Sequence, residues 1–356
     1  MKTRETLAAI FVVLLLVCYP VSASLPHDFK TKIGDTYTQP GKLKPFYKPS
    51  SFTASQSYSP STDVERIGNI DGDIAEYKIR VKVGSGKKYE SITLTNYVHE
   101  EAPWKANVTK NIMILTGQGL TEKFYSDMGI YYAKQEYSVY ILDRRETNIP
   151  SDESDYTFMK TWTVDEHLKD ISKGIVASRV HTAFLNGKPL EAIDLTLIGH
   201  SHGALLATAY EESSYDDRVQ AAVDRIIPVD IIIKYNPGEQ QLIEGQAAEF
   251  NEINEELGNG TYYTDNMGAM MNIAKFASES PSVSSPFPGL TNIQLFRLMA
   301  SQTFMFSAHP YTQDYHYWTG DINGLYNVNE SRLLHLTLSG GAVPCTPYIW
   351  MNIWPA

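Results

Sequence analysis

The sequence predicts a doubly wound α/β domain, a mostly parallel sheet behind an antiparallel N-terminal hairpin, followed by a helical cap or insertion. Three observations predict it. Residues 74–99 alternate apolar and polar positions, residues 111 to about 235 alternate short apolar runs with helical segments, and beyond Pro237 that rhythm gives way to polar helical stretches. With 356 residues, 43% of them hydrophobic, the chain has apolar material for one large domain carrying an insertion.

Taken in chain order, residues 1–23 read as an export signal. Lys2 and Arg4 form a charged start, residues 7–17 an apolar run, and Val21-Ser22-Ala23 a small-residue cleavage site. The apolar run is short for a bilayer span, so a membrane partner is expected only if this segment stays uncleaved as an anchor. Residues 24–70 are rich in Ser, Thr, Pro, Lys and Tyr without periodicity, and read as an extended arm with little regular structure.

The core is expected over residues 71–237. Tyr77, Ile79, Val81 and Val83 alternate up to a turn at Gly84-Ser85-Gly86, and Ile92, Leu94 and Tyr97 alternate after it, which predicts the antiparallel hairpin. Apolar runs at 111–116, 137–142, 193–198 and 225–235 predict buried strands. Between them lie helices at 121–134, 164–184 and 203–212. The second of these has Leu168, Ile171, Ile175 and Val180 on one face and a capping-box spacing from Thr163 to Glu166. Residues 238–310 form the cap or insertion, with helices near 240–257, 265–276 and 291–304. Residues 311–356 form a C-terminal segment.

Chemistry enters at Gly199-His200-Ser201-His202-Gly203, which fits G-x-S-x-G between an apolar strand and a helix. Two glycines let the chain reverse sharply, the serine hydroxyl is left at the apex, and the helix N-terminus offers N–H groups to a developing oxyanion. A plain structural turn is the competing reading. The strand ending at Thr116 runs into Gly117-Gln118-Gly119, where a second oxyanion donor is expected. Gln118 and His202 are the candidate backbone donors.

These pieces, together with the strand end Leu142-Asp143-Arg144-Arg145, make residues 74 to about 236 similar to the first two-thirds of an α/β-hydrolase catalytic domain. The resemblance implies an α/β-hydrolase-type fold, an ester- or amide-cleaving activity with Ser201 as nucleophile, and no cofactor. It also implies a later strand bearing Asp or Glu and a loop bearing the catalytic His. The stretch before Trp354-Pro355-Ala356 shows no recognisable version of that succession, so truncation before the late strands stays open, as does a non-catalytic relative or fragment.

His309, His316 and His335 follow Ser201 in the expected order; each reads first as a surface or cap histidine, and His316 in Tyr315-His316-Tyr317-Trp318 is the candidate base among them. Asp230, at the end of the strand after the elbow, is the candidate acid, with a turn-capping Asp as its alternative. His200 and His202 flank the serine but are expected to diverge from it, and no ligand cluster near them suggests a metal. Arg144 and Arg145 either face the cleft or pair with Asp152, Glu153 or Asp155. The 23 Tyr and 13 Phe suit an apolar or aromatic acyl substrate as well as they suit a core.

Removal of residues 1–23 lowers the Lys and Arg count from 30 to 28 and the Asp and Glu count from 41 to 40, a net charge of −12. A surface so acidic argues against a nucleic-acid partner. Cys18 leaves with the signal, so Cys345 alone remains and no internal disulfide forms. Terminal sequencing of the exported protein is expected to read from Ser24; an intact Met1 on a membrane-bound product would favour the anchor.

Overall fold

The computed structural model describes residues 62–304, apart from 85–87, 151–152, 216–221, 231–237, 239 and 263–267, and four positions between 330 and 338. The expected signal segment, most of the arm, His309, His316 and His335 lie outside the described residues. One eight-stranded sheet organises the rest. Its strands are β1 (Thr62–Asp71), β2 (Ile74–Lys82), β3 (Ser91–Ala102), the short β4 (Lys105–Ala106), β5 (Lys110–Leu115), β6 (Ser138–Asp143), β7 (Asp194–His200) and β8 (Arg225–Val229). They lie in the order β1-β2-β3-β6-β5-β7-β8, with β4 beside β3.

β1, β2 and β3 pair antiparallel, β3 meets β6 antiparallel, and β6, β5, β7 and β8 are parallel. The expected hairpin and parallel core are therefore present. The arm differs: its last residues, from Thr62, already form β1. That strand is exposed along most of its length and is interrupted by irregularities at Arg66/Gly68 and Asn69/Asp71.

Helices cover both faces of the parallel strands. On one face Ile112 and Ile114 of β5 and Val139 and Ile141 of β6 pack with Tyr125 and Ala133 of α1 (Glu122–Ala133). On the other, Met113, Leu115, Tyr140 and Leu142 pack with Leu168, Ile171 and Ile175 of α2 (Val164–Asn186) and with Leu206, Ala207 and Tyr210 of α3 (His202–Glu211). Successive strand residues thus point into opposite cores, which is why the strands read as unbroken apolar runs.

Two details of α2 depart from the sequence reading. Val180 is 46% exposed, because the buried stripe continues through Ser178 and Thr182 at helical spacing. Thr163 is the N-cap but its side chain makes no capping bond, and Glu166 accepts instead from Lys169 at 2.7 Å. The helix ends at Gly187, where φ of 61° turns the chain out and the N–H of Lys188 reaches the Ala183 carbonyl at 3.1 Å.

Beyond the sheet lie α4 (Gln240–Gly258), α5 (Gly268–Glu279) and α6 (Asn292–Phe304), in the region expected to be a helical insertion. Ala274, Ala277 and Phe296 join α5 to α6. Among the described strands β8 is outermost on its side, and its Ile227 is 45% exposed.

Asp143, at the end of β6, accepts the Glu122 N–H at 2.7 Å and so fixes the start of α1. Burial first, then the charge of Glu122, push its carboxyl up to about 7. The folded protein therefore holds a proton there that the unfolded chain releases near pH 4. This contribution to stability is complete below pH 4 and is lost as pH rises to 7. Asp143→Asn, which keeps the accepting oxygen, is expected to match wild type near pH 4 and to exceed it at pH 8 by roughly 1–4 kcal/mol. Urea unfolding at the two pH values measures this; equal pH slopes would show that Asp143 is ionised in the fold.

Candidate active site

β7 runs into Ser201 and α3 starts one residue later. To turn that sharply Ser201 adopts φ 51° and ψ −121°. The conformation is held on both sides: its N–H donates to the Val229 carbonyl of β8 at 2.9 Å, and its carbonyl accepts the Ala204 N–H at 2.8 Å. Gly199 and Gly203 permit it. A Cβ on Gly199 would come 2.5 Å from the Ala204 Cα, and one on Gly203 would come 2.8 Å from the Thr116 carbonyl oxygen.

The Gly117-Gln118-Gly119 loop lies against this elbow. A Cβ on Gly117 would stand 3.0 Å from His200 Nδ1, so glycine is what lets loop and elbow touch. The Gly117 N–H donates to the Tyr125 hydroxyl at 2.8 Å, and the Gly117 carbonyl accepts from Arg144 Nη2 at 3.1 Å. Gln118, at the loop's apex, is half-buried, as is Ser201. His202 opens the first turn of α3, where backbone N–H groups precede the intrahelical ladder.

Both histidines that flank the serine already use one ring nitrogen. The Tyr125 hydroxyl accepts from the Gly117 N–H and shares a hydrogen bond with His200 Nδ1, both at 2.8 Å, the direction of the second set by the tautomer of the ring. The other ring nitrogen, Nε2, faces Asp230 Oδ2 at 3.8 Å. His202 Nδ1 accepts from Arg144 Nη1 at 2.7 Å, so its proton is on Nε2. Burial, reinforced by the Arg144 charge, holds the His202 pKa well below its ordinary value, and burial lowers that of His200 against the pull of Asp230. In both rings Nδ1 is engaged away from the Ser201 hydroxyl.

Of the residues nominated from sequence, the structure brings together Ser201, the Gln118 loop, His202 and Asp230. Asp230 follows β8 with φ of 55°, and its side chain is 81% exposed beside His200. His316 lies outside the described residues. The expected surface pairing of the arginines is corrected. Arg145 turns inward and makes a bidentate pair with Asp170 of α2, at 2.7 and 2.6 Å, beneath the Trp162 ring. Glu153 instead accepts from Lys88 and Tyr89, at 3.0 and 2.7 Å. Next to Arg145, the buried Glu146 carboxylate and the His167 ring lie 3.2 Å apart, and burial lowers the His167 pKa to about 4.

Sequence reasoning missed Tyr125, Asp170, His167 and Glu146, each an ordinary residue on a helix or turn with no motif around it. Among the described residues no group of three or more His, Cys, Asp or Glu side chains is placed to hold a metal ion, and no helix is long and apolar enough to cross a membrane.

No protein-family model and no curated protein matches the sequence. Among solved structures, a "putative lipase" from Sulfolobus solfataricus is 16% identical, with 80% of this chain and 78% of that one covered at a TM-score of 0.51. The apo form of Thermogutta terrifontis esterase 2 is 17% identical, with 45% of this chain and 59% of the esterase covered at a TM-score of 0.31. The chain thus spans less than two thirds of the esterase's length. The likeness to the Sulfolobus protein, with the sheet order and the elbow, establishes the α/β-hydrolase fold.

Gly203→Ala tests how tightly the elbow is built. Its methyl group would press on the carbonyls at the end of β5, and a loss of about 1–3 kcal/mol is expected in urea unfolding. Wild-type stability in this variant would show that the strand end yields to the helix.

Proposed function

We propose that the protein is an exported serine hydrolase that cleaves an ester or amide through an acyl-enzyme at Ser201. The observation that carries this reading is Ser201 itself, a non-glycine residue at φ 51° between β7 and α3, with a glycine loop tied against it. A backbone this unfavourable for a side chain persists where the surroundings over-determine it, and such positions cluster at functional sites.

In this reading the Ser201 Oγ bonds to the acyl carbon while its proton passes to a histidine. The carbonyl π pair moves onto oxygen, where the N–H groups of Gln118 and His202 hold it. Collapse expels the alcohol or amine, which takes the proton from the histidine, and water then releases the acid by the same steps. His200 and His202 are engaged elsewhere, so the base is proposed to be His316, with Asp230 as its acid. Phe124 stacks on His200 beside the elbow, centroids 6.1 Å apart, which suits an apolar or aromatic acyl group. Export rests on the signal pattern of residues 1–23.

A second reading, a relative that keeps the elbow without turnover, is favoured by one observation. Both histidines that flank Ser201 have Nδ1 bonded to another side chain, Tyr125 for His200 and Arg144 for His202. A fluorophosphonate probe separates the two readings. Labelling is expected at Ser201, and Ser201→Ala is expected to abolish it; equal labelling of both proteins would remove Ser201 as nucleophile. His316→Ala is expected to lower kcat on a short-chain aryl ester by at least about 10³-fold. Unchanged turnover there, with loss in His309→Ala or His335→Ala, would move the base to that residue.

A further inference from the structure

The Gly117–Gln118 peptide is fixed from below by one side chain. Its carbonyl accepts from Arg144 Nη2 at 3.1 Å and, more weakly, from the Leu120 N–H at 3.3 Å, and the other arm of the same guanidinium, Nη1, donates to His202 Nδ1 at 2.7 Å. Arg144 is buried, and its own backbone is pinned because its carbonyl accepts both the N–H and the hydroxyl of Thr147, at 3.0 and 2.8 Å. The neighbouring peptide plane is held as well, since the Gly117 N–H is committed to Tyr125 at 2.8 Å.

A trans peptide carries its C=O and the following N–H on opposite sides of the chain. The structure has no cis bond among its described residues. With the Gly117 carbonyl drawn inward to a buried guanidinium, the Gln118 N–H must point the other way, out of the protein interior. That N–H is one of the two oxyanion donors of the reading above, and the other belongs to His202, the residue whose side chain Arg144 also holds. We propose that Arg144 is the positioning residue of the oxyanion hole: a single guanidinium that orients the Gln118 amide and locks it in register with the first turn of α3.

This inference rests on Ser201 chemistry for its catalytic consequence but not for its geometry. Without Arg144, the Gly117 carbonyl keeps only the turn bond from the Leu120 N–H, at 3.3 Å. Held by that one long bond, the peptide is easier to rotate, and a rotated peptide presents an oxygen where the N–H is needed, replacing stabilisation of a negative charge by repulsion. A lysine does not substitute, because one ammonium on a flexible stem does not span the loop carbonyl and the imidazole in the fixed fork that guanidinium provides.

The experiment uses the full chain with Arg144→Met and Arg144→Lys. In crystal structures of both variants, the Gly117–Gln118 peptide is expected to be rotated relative to wild type. On 4-nitrophenyl acetate, kcat is expected to fall by about 10- to 100-fold, with KM changed less than about threefold, and the fluorophosphonate labelling rate to fall with kcat. A merely structural arginine would leave kcat and KM of the folded variants alone. Should Arg144→Met fail to fold, Arg144→Lys, which keeps charge and most of the volume, decides the matter. A peptide that stays in place in a folded variant overturns the proposal, as does an unchanged kcat. If wild type itself is neither labelled nor active, the Ser201 reading fails, while the peptide orientation still decides the role of Arg144.

Discussion

Ser201 is held at φ 51° and ψ −121°, a conformation that costs a residue with a Cβ about 1–3 kcal/mol and persists only where neighbours enforce it. The neighbours that enforce it account for much of the surrounding design. β8 accepts the Ser201 amide, α3 donates to the Ser201 carbonyl, Gly199 lets the end of β7 touch the start of α3, and Gly203 lets that helix touch the end of β5. The parallel order β5-β7-β8 is what places those three partners around one residue. A hydroxyl lifted to the apex, and amides gathered beneath it, follow from the reversal.

Behind the elbow the structure buries an unusual amount of charge. Arg144, Arg145, Glu146, His167, Asp170 and His202 are all buried on the face covered by α2 and α3. Isolated, such groups would be prohibitive; paired, they are costly to break and give little net stability, so their value is geometric. Arg145 with Asp170 ties the turn after β6 to α2 by two parallel bonds. Arg144, its neighbour in sequence, points to the loop and the elbow. Two adjacent arginines thus join four segments, the β5 loop, the β6 turn, α2 and α3, whose relative placement sets the site.

The fold was legible because buried parallel strands and amphipathic helices leave strong periodic marks, and Gly199 to Gly203 sat at the one place where strand met helix. β1 was not legible. Its apolar residues Val64, Ile67 and Ile70 fall three apart, two irregularities shift its register, and Ile67 and Ile70 remain exposed, so no period of two survives. The arginines were noticed, but their partners were sought among nearby acids in sequence. Asp170 lies 25 residues on, inside α2, and becomes a neighbour only when α2 folds over the sheet. Tyr125 illustrates the same limit: its hydroxyl meets both Gly117 and His200 through packing of α1, which nothing in its local sequence reveals.

The bonding around His200 bears on how Asp230 can act. With Nδ1 bonded to Tyr125, the ring turns its Nε2 toward Asp230, yet the two are 3.8 Å apart and the carboxylate is largely in solvent. An ion pair so exposed is worth about 0–1 kcal/mol, and a neutral ring makes the contact weaker still. The contact therefore does not commit Asp230 to His200. A second imidazole presenting an N–H at hydrogen-bond distance would outcompete it, because a short bond to a carboxylate is among the stronger ones available. The left-handed backbone of Asp230, at φ of 55°, keeps the carboxylate at the rim where β8 ends, level with Ser201 through the bond from the Ser201 amide to Val229. A residue one step beyond that bond moves with the elbow. A carboxylate placed there keeps its distance to Ser201 fixed by the sheet itself, which is what the proposed role of Asp230 as acid requires.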